Sequence, residues 1–248
     1  MSAKPGLLRR ILAGFAGAAV AALLGVAGWQ AYRAVLAQPL QRVVFGGELD
    51  RLPQAELEAL SHAIQASPPG APLASIREAA KRMPWVREAT VRRRFPATVE
   101  IHFQVHRAFA RWNDAALVSP EGEVFQAEEA AELPRLRGPD ASAPEMVREY
   151  RVLAAALAPL ASPLAELRLT PRGAWQATMG SGLVVELGRG DVAARAQRFA
   201  AIWPQVAAQG VPLTHVDLRY PNGFALRSPE LLMRRAAEVK PAPTRPKR

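Results

Sequence analysis

The sequence predicts an α+β chain in three parts: a single N-terminal transmembrane helix, a small mixed domain ordered strand-helix-helix-strand-strand, and a β-rich domain with flanking helices. Three observations predict it. From Ile11 to Tyr32 there are 22 consecutive residues without a charge. After residue 40, apolar positions recur first at helical spacing and then in strict alternation. After residue 107, short apolar pieces are punctuated by turn residues, as in hairpins. The boundaries expected from these patterns are a cytoplasmic tail at 1–10, the span at 11–32, the mixed domain at 40–107, the β domain at 108–228 and a disordered basic tail at 229–248.

Half of the 248 residues are apolar and 22% are charged, a composition that favours a globular body over a disordered or fibrous one. There is no cysteine, which excludes a disulfide scaffold, thiolate zinc ligation and thiol catalysis. The net charge of +10 invites a nucleic-acid reading. Its distribution argues against that reading. Lys4, Arg9 and Arg10 precede the apolar run, and a net four charges lie in the last twenty residues, whereas residues 43–228 carry 21 positive against 20 negative charges. The body is nearly neutral, and no nucleic-acid partner is expected.

A helix over Ile11–Tyr32 rises about 33 Å, enough to cross a hydrocarbon core of roughly 30 Å. The basic flank at Lys4, Arg9 and Arg10 is retained in the cytoplasm, and Trp29 and Tyr32 sit near the exit, where amphipathic rings favour the interface. A cleavable signal peptide is the competing reading, with Val35-Leu36-Ala37 as its cleavage site. The length of the run and the intervening Arg33 favour an anchor. A buried core helix fits less well with a basic flank at the extreme N-terminus.

In the mixed domain, Val43-Val44-Phe45 reads as a strand ending at Gly46-Gly47. Pro53 opens a helix with Leu57, Leu60 and Ile64 on one stripe, and residues 73–83 form a second helix stopped by Pro84. A strand follows over Trp85–Val91, with Arg92-Arg93-Arg94-Phe95-Pro96 read as a connection. Val99, Ile101, Phe103 and Val105 then alternate with Glu100, His102, Gln104 and His106, the pattern of a half-buried strand.

In the β domain, strands are expected at Phe109–Trp112, Leu117-Val118 and Val124-Phe125, the last two joined across Ser119–Gly122. An acidic loop and Pro-rich punctuation run to residue 144, and a helix follows over Glu145–Leu157. Strands are expected at Leu167–Thr170, Trp175–Met179 and Leu183–Leu187. Asp191 caps a helix running to about Gln209, with a kink or break expected at Pro204. Val216, Leu218 and Tyr220 alternate as a late strand, and Phe224–Arg227 forms the last one beyond Pro221-Asn222-Gly223.

No P-loop, nucleophile elbow, dinucleotide fingerprint or zinc-protease helix is present in the sequence. His102 and His106, four strand residues apart, are separated by roughly 13 Å, too far to share a metal. Leu187–Asp191 reads as a strand-to-helix connection, and Glu121 and Glu123 as solubilising charge. No catalytic, cofactor-binding or metal-binding residue is assigned, so weight shifts from enzyme to binding protein. A β-rich domain ending in an alternating strand can offer an edge to which a partner adds a strand, with Tyr220 and Phe224 either forming pockets there or packing in the core. The cluster Arg77–Arg94, with seven positive and two negative charges, reads as a solvated face, as an attractor for anionic headgroups or as a dock for an acidic partner.

The phrase MPWVREATVRRRFPATVEIHFQVHRAFARWND, followed by LVSPEGEVF, LGRGD and HVDLRYPNGFALR, resembles the bacterial FtsQ/DivIB family of cell-division proteins through nearly the whole chain. The resemblance implies a POTRA domain followed by a β domain, an inner-membrane location with the C-terminus periplasmic at the septum, and a non-enzymatic scaffold role without cofactors. It implies partners among the upstream and downstream divisome membrane proteins. Chief among these are FtsB, contacted directly, and FtsL, with which FtsB pairs, and through them septal peptidoglycan synthesis. It further implies a recruitment patch at Glu88, Val91, Arg92 and Arg93, and an FtsB-type contact at Arg172, Val216, Leu218, Arg219, Tyr220 and Phe224. The alternative function is that of a POTRA-containing component of outer-membrane protein assembly or secretion. It predicts several repeats of the mixed unit or a following barrel, and the sequence has one unit and no barrel-length strand series.

Overall fold

A computed structural model of the chain describes residues 5–36, 42–68, 71–94, 97–221 and 223–228, with the side chains of the first helix described from Gly17 to Ala34. The expected tails at 1–10 and 229–248 fall partly and wholly outside the described residues, as do Phe95-Pro96 and Asn222. Helix α1 spans Pro5–Leu36, and every side chain described in it is exposed. Among the described residues, no helix is long and apolar enough to cross a membrane. Beyond this helix the chain forms two compact bodies that part between Val105 and His106.

The first body holds β1 (Arg42–Gly47), α2 (Gln54–Gln65), α3 (Leu73–Lys81), β2 (Val86–Arg94) and β3 (Thr98–Val105). The strand order is β1-β3-β2, with β1 parallel and β2 antiparallel to the central β3. Alternation fixes the register: Val99, Ile101 and Phe103 are all buried, and a one-residue slip would turn the three of them to solvent. Leu57, Leu60 and Ile64 of α2 and Ile76 and Ala80 of α3 are likewise buried, at the spacing that places them on one helix face. One expectation is corrected here. Arg92, Arg93 and Arg94 are not a connection but the last third of β2, paired with Glu100, Val99 and Thr98. Consecutive arginines hide the period-two signal, which the backbone pairing nevertheless maintains.

The second body holds β4 (Ala110–Trp112), β5 (Ala116–Val118), β6 (Val124–Phe125), β7 (Arg135–Arg137), α4 (Ala143–Ala156), β8 (Leu164–Leu169), β9 (Trp175–Met179), β10 (Val184–Gly188), α5 (Val192–Ala207), β11 (His215–Asp217) and β12 (Ala225–Arg227). Nine strands form one sheet in the order β12-β11-β10-β9-β8-β7-β4-β5-β6. Three neighbouring pairs are parallel: β4 and β7 are joined through β5 and β6, β7 and β8 through α4, and β10 and β11 through α5. Parallel neighbours require such crossovers, and the helices cover the sheet where they cross. Met146, Leu153, Leu157 and Phe199 from the helical side meet Leu136, Leu167, Ala177, Val185 and Leu187 from the strands in one core.

Several expectations change in this body. Strand β7 was not foreseen, because Arg-Leu-Arg between Pro134 and Gly138 offers only one apolar residue, Leu136, which is fully buried. Strand β8 starts at Leu164, three residues before the expected Leu167. Pro204 does not end α5, which continues to Ala207. His106 is not on the polar face of β3, which stops at Val105; its ring stacks on Phe125 with centroids 4.3 Å apart. Tyr220 is not a strand residue, since β11 ends at Asp217.

Candidate functional site

The C-terminal edge of the large sheet is built by a short chain reversal. Strand β11 is flanked on both sides, by β10 in parallel and β12 antiparallel, so the outermost strand is β12. Its register against β11 is His215↔Arg227, Val216↔Leu226 and Asp217↔Ala225. The other side of β12 has no strand beside it among the described residues.

At the end of β11 an arginine is locked in place. Asp217 Oδ1 accepts from Arg219 Nε at 2.9 Å and from the Arg219 backbone N–H at 3.0 Å, while Oδ2 accepts from Nη2 at 2.6 Å. The hydrogen bond from the Arg219 side chain holds the Asp217 carboxyl below its ordinary range, and the same contact raises the guanidinium. The stem of Arg219 passes directly over Gly188, where a Cβ would come within 2.8 Å of Arg219 Cγ. Gly188 has φ of +73°, a left-handed conformation that glycine alone adopts without steric cost. The glycine that ends β10 therefore serves both the turn into α5 and the seat of the arginine. Close by, Glu186 Oε1 accepts from Gln176 Nε2 at 2.6 Å and lies 3.7 Å from His215 Nε2.

Beyond Arg219 the chain turns outward. Tyr220 is 54% exposed and Phe224 is 37% exposed. Phe224 meets the buried Phe199 edge to face, with ring centroids 5.7 Å apart. Arg195, Arg198, Phe199, Ile202, Leu218 and Phe224 line a groove of about 430 Å³ beside this turn. Arg198 Nη1 donates to Pro221 O at 3.3 Å and ties α5 to the turn. The exposed Arg172 lies in the turn between β8 and β9. Leu169 and Gly188 both register with Trp175, so that turn stands at the same end of the sheet as Arg219.

The structure thus brings Arg172, Arg219, Tyr220 and Phe224 to one end and edge of the sheet and buries Val216 and Leu218 inside it, at 0% and 4% exposure. Sequence reading placed Asp217 in the family phrase that ends at Tyr220 but not as the partner of Arg219, and it missed Gly188, Phe199 and Arg198 as parts of this site. For Gly188 the signal was present in LGRGD; for Phe199 and Arg198 the helical stripe gave only a core assignment.

In the first body, β2 is an edge strand. Glu88 is bound by Lys81 Nζ at 2.9 Å, and that hydrogen bond is the main reason its carboxyl falls below the ordinary range. Val91 and Arg93 are half-buried and Arg92 is exposed. Among the described residues, no group of three or more His, Asp or Glu side chains could hold a metal ion.

Two family models match the chain. Residues 38–104 match the POTRA domain, FtsQ-type, and residues 110–219 match Cell division protein FtsQ/DivIB, C-terminal. Cell division protein FtsQ of Xanthomonas campestris is 34% identical over 241 residues, covering 96% of this chain and 87% of the relative. That of Shewanella oneidensis is 38% identical over 192 residues, covering 76% and 73%. That of Burkholderia pseudomallei is 41% identical over 160 residues, covering 61% and 64%. With a POTRA body and a β-rich body in this order, the chain belongs to the FtsQ family of cell division proteins.

Proposed function

We propose that the chain is a non-enzymatic scaffold of the division septum, anchored in the inner membrane with its two globular bodies in the periplasm. It joins early divisome proteins to the FtsB and FtsL pair, and through that pair to septal peptidoglycan synthesis. The observation that carries the reading is the side of β12 that has no neighbouring strand among the described residues, flanked by exposed Arg219, Tyr220 and Phe224. A strand added there gains main-chain hydrogen bonds, while the flanking side chains select the partner. Arg172, Arg219 and Tyr220 make the side-chain contacts, and Phe224 closes one wall of the groove. Val216 and Leu218 act from the core by holding β11, and hence β12, in register.

The anchor reading rests on α1. Val20, Leu23, Leu24, Val26, Trp29 and Tyr32 are 52–69% exposed along it, an apolar surface that a lipid phase would cover and that water would not. The recruitment patch rests on β2, whose edge presents Glu88, Val91, Arg92 and Arg93 for upstream divisome proteins. Depletion of the protein followed by microscopy tests the whole reading. Filaments with unsegmented cytoplasm support it; dividing cells with a leaking envelope sink it.

A further inference from the structure

The pairing of the small sheet fixes which end of it faces the point where the chain arrives from α1. Arg42, the first residue of β1, registers with Thr98, and Thr98 registers with Arg94, so the start of β1 and the end of β2 lie at the same end of the sheet. Arg42 is six residues beyond Leu36, the last residue of α1, a span of at most about 22 Å of extended chain. Whatever surface α1 is anchored in therefore lies within reach of this end of the sheet.

The charge at this end is one-sided. Residues 42–45 and 91–101, which form this end, contain four arginines, Arg42, Arg92, Arg93 and Arg94, and one carboxylate, Glu100. Glu100 stands opposite Arg92 in the ladder and lies 3.2 Å from Arg94 Nε, so it offsets part of that charge. The Arg94 side chain is 73% exposed, and Arg42 and Arg92 are exposed as well. Packing does not account for Arg92 and Arg94, which stand on the exposed face of β2, alternating with the half-buried Val91 and Arg93.

We propose that this end of the sheet, with Arg42 and Arg94 at its corners, binds the anionic phospholipid headgroups of the membrane in which α1 is anchored, and so sets how the POTRA body stands on that membrane. The inference rests on the anchor reading above. A cation close to an anionic surface shifts the docked population by about fivefold, and the effect decays within a Debye length. Two or three arginines at a tethered distance therefore suffice to select one orientation. Lysine serves as well as arginine, because the interaction is with a charged surface and not with a single planar group.

The full chain has no cysteine, so single probes can be placed by substitution. V44C labels β1 near the basic end, and Q104C labels β3 six residues from Thr98, at the opposite end; both positions are exposed. The labelled chain is reconstituted into vesicles of phosphatidylcholine alone or with about a third phosphatidylglycerol, each carrying a headgroup quencher. The account expects several-fold stronger quenching at V44C in the anionic vesicles and little change at Q104C. High salt and the R42E/R94E double variant abolish the difference, and R42K/R94K retains it. Equal quenching in both lipids, from chain that floats with the vesicles, overturns the headgroup site and leaves the anchor standing. Chain that fails to float overturns both. A lipid-dependent signal that survives R42E/R94E while septal recruitment is lost assigns the patch to an acidic protein and overturns the inference.

Discussion

Asp217 and Arg219, two residues apart at the end of β11, form a closed pair in which one carboxylate takes three hydrogen bonds from one arginine. The arginine is thereby held over Gly188 and pre-positioned at the lip of the proposed docking edge. An arginine already fixed loses less conformational freedom on meeting a partner carboxylate than a mobile one does.

Arg219 is exposed and Asp217 half-buried at the sheet surface, so Asp217→Asn should unfold nothing and change stability only modestly at neutral pH. The sign of its pH dependence follows from the lowered Asp217 pKa. The stabilisation is fully present above the ordinary carboxylate value of 3.8 and is lost as pH falls through the lower folded value. Glu88, lowered by Lys81, behaves in the same way relative to its ordinary 4.5. Melting curves of Asp217→Asn and Glu88→Gln should fall below the parent at about pH 7 and merge with it near pH 2. A gap that widens on acidification would contradict this sign.

Gly188→Ala places a Cβ in a left-handed backbone position and 2.8 Å from Arg219 Cγ. A loss of about 1–2 kcal/mol in stability is expected from the backbone alone. Because the arginine must also move, partner affinity should drop by more than Asp217→Asn causes. Parallel denaturation and binding titrations check both halves.

Leu136 is the lone apolar residue of β7, the strand that joins β4 to β8 in the middle of the sheet. Leu136→Ala should cost about 2–5 kcal/mol, as for other fully buried leucines. Chemical denaturation would show it as a lower midpoint. A loss under about 1 kcal/mol would mean that the two halves of the sheet do not share one core.

Tyr220→Glu tests contact without packing, since more than half of the residue is exposed. The melting temperature should stay within a degree or so of the parent, while affinity for an FtsB-type partner falls by about thirtyfold, the loss of an interface hot spot. Val216→Ala is the contrasting case: this residue is fully buried, so binding and stability should fall together.

Periodic segments were legible in the sequence. Leu57, Leu60 and Ile64, and then Val99, Ile101 and Phe103, fixed a helix and a strand by spacing alone. Segments decided by their neighbours were not. Strand β7 exists because β4 and β8 supply pairing on both sides, and Arg92–Arg94 are strand because Val99 and Glu100 face them. The alternation of Val216, Leu218 and Tyr220 implied a longer strand than the one that ends at Asp217. That β12 and not β11 is the outermost strand among the described residues depends on tertiary pairing, which spacing along the sequence does not carry.

The central claim is strand addition at β12, and backbone hydrogen exchange across a titration with an FtsB-type partner reads it most directly. New protection is expected at those amides among Ala225, Leu226 and Arg227 that face away from β11, with none at β6, the opposite edge of the same sheet. Saturating binding that leaves the β12 amides as exchangeable as in the free chain would contradict it.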